Sequence, residues 1–181
     1  MPPLVIVCGP PAAGKTTLAQ RLSHDFELPV ISKDLLKEAM MDHLGGTREV
    51  GRAAFAAQFA VARALLESGN GLVLEGAFFI NQTEIAGLAV LGDAVSVNLS
   101  CTIAELERRY SERQSGGHRH PSHRGLEALA DLRERIAAGA YGIPDLGRPY
   151  LEVDTTDGFE PPIGKIVTWV RSNLAGRRRP S

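Results

Sequence analysis

The chain has almost no cysteine: two residues in 181. So few thiols cannot build the disulfide framework of a small secreted fold. Cys8 and Cys101 each border an apolar run, which predicts buried thiols in a reducing compartment. Net charge is also nearly absent. Lys plus Arg total 20 and Asp plus Glu 21, a formal balance of -1. Nothing in that balance calls for nucleic acid as a bulk partner. No apolar run reaches the length that crosses a bilayer. The opening "MPPLVIVCG" lacks the basic segment of a secretory leader. Cytoplasmic residence with no membrane partner is the expectation. Linkers, internal repeats and low-complexity tracts are missing too, so one domain over 1–181 is expected. The basic end, 176–181 with Arg177, Arg178 and Arg179, is expected to be a frayed, solvated tail.

What is present alternates. "LVIVC" (4–8) is a continuous apolar, β-branched run, the pattern of a strand buried on both faces of a parallel sheet. Gly9 breaks it. "KTTLAQRLSHDF" then reads as a helix, with Leu18, Leu22 and Phe26 on one side. "LPVIS" is a short second strand and "KDLLKEAMMDHL" a helix that Gly45 and Gly46 stop. An alanine-rich helix covers 48–69, and "GLVLEG" is a third strand. "NQTEIAGLAVLG" is a helix opened by a capping Asn81, and "AVSVNLS" a fourth strand. "TIAELERRYSERQ" carries a capping-box pattern, Thr102 with Glu105 three residues on. "SGGHRHPSHRG" reads as a loop, "LEALADLRERIAAG" as a helix, "YLEV" as a weak fifth strand and "PPIGKIVTWVRSNL" as a terminal helix. Parallel strands need crossovers, and here the crossovers are helices. The expected fold is α/β, with about five parallel strands between helices.

"GPPAAGKTT" (9–17) is a loop built to hold phosphate. Gly9, Gly14, Lys15 and Thr16 match G-x-x-x-x-G-K-[ST] in full, between a buried strand and a helix. Pro10, Pro11, Ala12 and Ala13 complete the turn, whose amides would face phosphate oxygens. The helix N-terminus adds a favourable field. Lys15 would reach the outer phosphates and the Thr16 hydroxyl would sit on Mg²⁺, with Thr17 capping or packing beside it. A nucleoside triphosphate with Mg²⁺ is the implied cofactor. The N-K-x-D signature of guanine readers is missing: "VNLS" offers Asn98 alone.

Asp34 follows the second strand, at the end where open α/β sheets place ligands. It could accept a proton from an attacking hydroxyl. Lys37, three residues on, shares its helix face and could hold an anionic group of the acceptor. Lys33 is expected to face solvent. Glu75 ends the third strand and could act on Mg²⁺ or contact substrate. Phe78 could wall the acceptor site or simply pack in the core. Arg52 lies early in the alanine-rich helix, where a kinase covers its substrate. Arg108, Arg109, Arg113, Arg119 and Arg124 crowd one helix and the loop after it, an expected lid at 108–125. Arg109 and Arg113, four apart, share a face: one could lie over the base, the other reach the phosphates. Arg119 could join on closure, which would also exclude water. His118, His120 and His123 have no carboxylate set beside them. His120 is assigned to lid ordering or substrate contact rather than to metal. Thr155, after the fifth strand, could offer its hydroxyl or backbone to the base.

On these residues the chain resembles the P-loop kinases that phosphorylate small molecules or polynucleotide ends. It is most similar to the zeta-toxin and polynucleotide-kinase-like ATPases and to short bacterial proteins described as predicted ATP-binding kinases. The resemblance covers almost the whole chain and rests on "GPPAAGKTT", "ISKDLLKE", "GRAAF", "VLEGAFF", "ERRYSERQSGGHRHPSH" and "LEVDTTD". It implies ATP as donor, Asp34 as the base for an acceptor hydroxyl, Arg113 as the lid residue on the transferring phosphoryl, and Arg109 packed on adenine. Polynucleotide kinases carry Arg after their catalytic Asp, where this chain offers Lys37. Nucleoside monophosphate kinases do not usually carry a base at the Asp34 position, so a hydroxyl acceptor is implied. A looser resemblance reaches antibiotic phosphotransferases such as those acting on chloramphenicol.

The first expectation is therefore an ATP-dependent phosphotransferase acting on a small-molecule hydroxyl, as a monomer or weak dimer. One alternative is a nucleoside, nucleotide or polynucleotide 5'-hydroxyl kinase, the only role in which nucleic acid enters. Another is a nucleotide-binding switch with slow hydrolysis.

Overall fold

Why "LVIVC" has no polar alternation is plain from its neighbours. In the computed structural model, β1 (Pro3–Cys8) lies between two other parallel strands, and Leu4 to Cys8 are all fully buried. Residues 1–44, 48–78, 80–115, 132–136, 138, 141–142 and 145–175 are described. The remaining strands are β2 (Val30–Ser32), β3 (Leu72–Gly76), β4 (Asp93–Ser100) and β5 (Tyr150–Asp154). The order across the sheet is β2-β3-β1-β4-β5, and every pairing is parallel.

Helices α1 (Lys15–Phe26), α2 (Lys33–Leu44), α3 (Arg48–Glu67), α4 (Gln82–Leu91), α5 (Ile103–Ser115) and α6 (Ile163–Ala175) connect and cover the strands. Side chains alternate across the pleat, so the central strands feed two cores. Val5, Val7, Val73, Val95 and Val97 pack with Leu18 and Leu22 of α1 and Ile166 and Val170 of α6. Leu4, Ile6, Leu72 and Leu74 pack on the other face with Leu66 of α3 and Ile85 and Leu88 of α4. Burying each such side chain contributes about 1.5–3 kcal/mol, so the central strands anchor whatever their carboxyl ends carry. No helix among the described residues is long and apolar enough to cross a membrane.

The expected α/β fold is the one observed, with three local differences. β2 starts at Val30 rather than Leu28, because Pro29 has no N–H to give; its carbonyl instead accepts the Val73 N–H at 2.9 Å. The capping box at Thr102 does not close. The Thr102 N–H donates to Thr156 Oγ1 at 3.1 Å, and the Glu105 carboxylate is engaged by Arg108 and Arg109 instead. Asn81 stands at the N-cap of α4 without a side-chain cap bond, its buried Oδ1 without a partner among the described residues. Of the helix expected at 126–139, residues 132–136 are helical, and most of the rest lies outside the described residues.

Candidate active site

The carboxyl ends of β1, β3 and β2 meet at one edge of the sheet, and each delivers a polar segment there. After β1 the chain turns through the phosphate loop. Gly9 has φ +145°, and a Cβ added to it would lie 2.5 Å from the Leu99 carbonyl oxygen. Gly14 has φ +86°, and a Cβ there would sit 3.2 Å from the Phe159 ring. Glycine is thus required twice, for backbone conformation and for space. Gly9→Ala is expected to lower the unfolding free energy by at least about 2 kcal/mol, because strain and a displaced backbone carbonyl add. Urea denaturation measures this, and a wild-type midpoint would contradict the packing described.

Between the two glycines, Pro10, Ala12 and Ala13 are buried and Pro11 half-buried, and the Ala13 N–H donates to the Pro10 carbonyl at 3.3 Å. Lys15 is buried, and its Nζ donates to the same carbonyl at 2.8 Å. Gly14 caps α1 with no side chain, and the first turn carries no acidic residue. The positive helix end is therefore not met by a carboxylate of its own first turn. Thr16 and Thr17 are both exposed at this mouth, so Thr17 does not pack as the sequence suggests.

Glu75 lies opposite. It is 2% exposed at the end of β3, in register with Val7 and Ser32. Thr16 Oγ1 donates to its Oε1 at 3.5 Å, and Ser32 Oγ donates to its Oε2 at 2.6 Å. The Gln58 amide of α3 donates to the Glu75 carbonyl and to the Ile31 carbonyl, each at 2.8 Å. α2 begins at Lys33, which ends the strand β2, and Gln58 supplies a donor where the β2–β3 ladder runs out. Hydroxyl and carboxylate oxygens are what Mg²⁺ prefers, so Thr16 and Glu75 fit the group that the loop implies. Among the described residues no cluster of three or more His, Cys, Asp or Glu offers a different metal site.

Asp34 follows two residues after Ser32, in the first turn of α2, with its side chain half exposed. Lys33 does not face solvent as expected. Its Nζ lies 3.0 Å from Asp34 Oδ1 and 5.3 Å from the centroid of the Phe55 ring. A desolvated ammonium on an aromatic face is favourable, which draws the side chain inward. Phe55 stacks on Phe59 at 6.0 Å, and both meet Phe78. Phe78 is fully buried, so it packs in the core of this wall and does not line it. Lys37 is half-buried on α2 and Arg52 exposed on α3.

On the other side of the loop, Arg109 of α5 binds several carbonyls. Its guanidinium donates to Ala12 O at 3.4 Å, to Thr156 O at 3.2 Å and to Thr155 O, while Nε donates to Glu105 at 2.7 Å. It joins α5, the phosphate loop and the segment after β5. The Thr155 hydroxyl and N–H both donate to the Ser100 carbonyl at 2.9 Å, and its own carbonyl accepts from Arg109, so its polar groups are engaged within the fold. Arg108 pairs with Glu105 and Glu112 on the exposed face. Together Arg108 and Arg109 hold the Glu105 carboxyl down to about 2. Since that value is depressed in the folded chain, the stabilisation is complete above 4.5 and lost as pH falls towards about 2. Glu105→Gln is expected to flatten that limb of the stability–pH curve, read by urea denaturation across the window. Arg113 belongs to α5 by its backbone. Its side chain and Arg119, His118, His120, His123 and Arg124 lie outside the described residues, as does most of the expected lid.

Three residues of the site were not singled out in the sequence, Ser32, Gln58 and Phe159, and Lys33 was assigned to solvent. Only Ser32 and Lys33 had a local signal, their place beside Asp34.

Comparison with known proteins agrees with this architecture. The AAA_33 model, described as an AAA domain, matches residues 4–138. A candidate kinase from Chloroflexus aurantiacus J-10-fl is 34% identical, with 95% of this chain and 98% of that one covered and a TM-score of 0.82. A gluconokinase from Sinorhizobium meliloti 1021 is 20% identical over 97% of this chain and 93% of that one, with a TM-score of 0.60. A shikimate kinase from Bacteroides thetaiotaomicron is 16% identical over 95% and 98%, with a TM-score of 0.61. The last two are likenesses of fold alone. Among curated proteins none matches.

Proposed function

The chain belongs to the AAA_33 family of AAA domains, and from that premise we propose that it is an ATP-dependent small-molecule kinase. In this reading it moves the γ-phosphoryl group of ATP to an alcohol, with Asp34 as base. The observation that carries it is the contact chain from the acceptor side to the phosphate loop. Asp34 follows Ser32 on one short segment, Ser32 holds Glu75, and Glu75 meets Thr16. A carboxylate suited to deprotonating a hydroxyl is thereby fixed relative to a loop suited to holding triphosphate. The neighbour that is 34% identical, named a candidate kinase, supports the same class.

The loop amides and Lys15 bind and orient the phosphates. Thr16 and Glu75 would hold Mg²⁺, which supplies charge neutralisation when bound. Asp34 accepts the proton of the acceptor hydroxyl. The oxygen so freed bonds the γ-phosphorus, the bridging P–O bond breaks, and ADP departs with the electron pair. Lys37 and Arg52 hold the acceptor. In this reading the border of the base is assigned to Arg109 and Thr155, the clamp on the transferring group to Arg113 and Arg119, and acceptor contact to His120, the side chains of the last three lying outside the described residues. The finer kinship to zeta-toxin and polynucleotide-kinase-like proteins belongs to this reading, as does a possible 5'-hydroxyl acceptor.

The test is ADP release from Mg·ATP against sugars, sugar acids, aminoglycosides, chloramphenicol-like alcohols, nucleosides and 5'-hydroxyl oligonucleotides. Stimulation by one acceptor class is expected. A switch with slow hydrolysis would instead bind nucleotide tightly and respond to none.

A further inference from the structure

We propose that Ser32 is a positioning residue for Glu75, and through it for a divalent cation held beside Thr16. This rests on the nucleotide-binding part of the reading above, not on the identity of the acceptor.

The geometry is that of a braced carboxylate. Glu75 and Ser32 are register partners on neighbouring parallel strands, so their side chains leave the sheet on one face. Ser32 is 5% exposed, and its hydroxyl donates to Glu75 Oε2 at 2.6 Å. That leaves Oε1 turned to Thr16, at the longer distance of 3.5 Å. The main chain of Glu75 is fixed as well, by the Gln58 amide. Among the described residues the buried Gln58 Oε1 has no partner, and two donations to strand carbonyls set the position of that side chain. Burying a carboxylate is costly, and a rigidly held one repays that cost when a cation joins it. Outer partners that orient a metal-facing carboxylate tune the affinity of the site. Without the Ser32 hydroxyl, Glu75 is free to rotate Oε1 away from Thr16.

The experiment uses the full chain, a fluorescent ATP analogue and Mg²⁺, with a chelator baseline. Ser32→Ala, Glu75→Gln and the double variant are compared with wild type. Ser32→Ala is expected to raise the Mg²⁺ concentration for half-maximal nucleotide binding by about 10- to 100-fold. Affinity in chelator stays at the wild-type value. The double variant is no worse than Glu75→Gln, because Ser32 acts through Glu75. An unchanged Mg²⁺ midpoint in Ser32→Ala overturns the proposal. So does an equal loss with and without Mg²⁺, which marks damage to the loop, and so does full multiplication of the two losses in the double variant. These outcomes involve no acceptor. A failure of the phosphotransferase reading in the acceptor panel is therefore distinguishable from a failure here.

Discussion

Asp34→Asn keeps nucleotide affinity near the wild-type value and lowers acceptor-dependent turnover by about a hundredfold to ten-thousandfold. Asn matches Asp in shape and retains an oxygen acceptor, but it cannot take a proton. Lys33, 3.0 Å from Asp34 Oδ1, keeps a hydrogen-bond acceptor to hold, so the segment is not expected to collapse. In the phosphate loop the Thr16 hydroxyl donates to Glu75, a bond that the substitution leaves in place. Binding and chemistry should therefore separate. Isothermal titration with a non-hydrolysable ATP analogue measures the first and ADP release the second. Turnover at the wild-type rate would remove Asp34 from the role of base.

Lys15→Ala is expected to act at the earlier step. Loss of a charged donor aimed at phosphate costs about a hundredfold to a thousandfold in turnover, with a matching loss in nucleotide affinity. The fold should survive. The Pro10 carbonyl that accepts from Lys15 Nζ also accepts the Ala13 N–H, so it keeps a partner. Thermal unfolding without nucleotide should stay close to that of wild type, while the stabilisation by added Mg·ATP disappears. If the nucleotide still stabilised the variant fully, Lys15 would not be a phosphate ligand.

Much of this was legible in the chain because it is written locally. A buried strand, six loop residues with two glycines, and a helix announce the phosphate site in one stretch, and the structure sets Gly9 and Gly14 in conformations that side chains resist. The position of Glu75 was legible too, since a charge ending an apolar strand must be placed where something uses it. Its partners were not. Ser32 meets Glu75 only because β2 pairs with β3, and that pairing is a matter of sheet order. Gln58 is a polar residue in the middle of an alanine-rich helix and carries no sign of the two strand carbonyls it binds. Lys33 reads as a surface lysine until Phe55 is brought under it by the packing of α2 on α3. Phe78 could be wall or core by pattern alone, and its three-ring cluster decides for core. The capping box at Thr102 failed for a similar reason: a distant hydroxyl, Thr156, reached the amide that Glu105 was expected to serve.

The measurement that goes most directly to the phosphotransferase assignment is the fate of the γ-phosphoryl group. With γ-labelled ATP, Mg²⁺ and the acceptor that stimulates ADP release, phosphorus NMR and mass spectrometry identify the labelled product. A new phosphomonoester on an alcohol oxygen of the acceptor, formed by the wild type and lost in Asp34→Asn, is the predicted result. Label recovered only as inorganic phosphate with every acceptor, at equal rates in the two proteins, would contradict it.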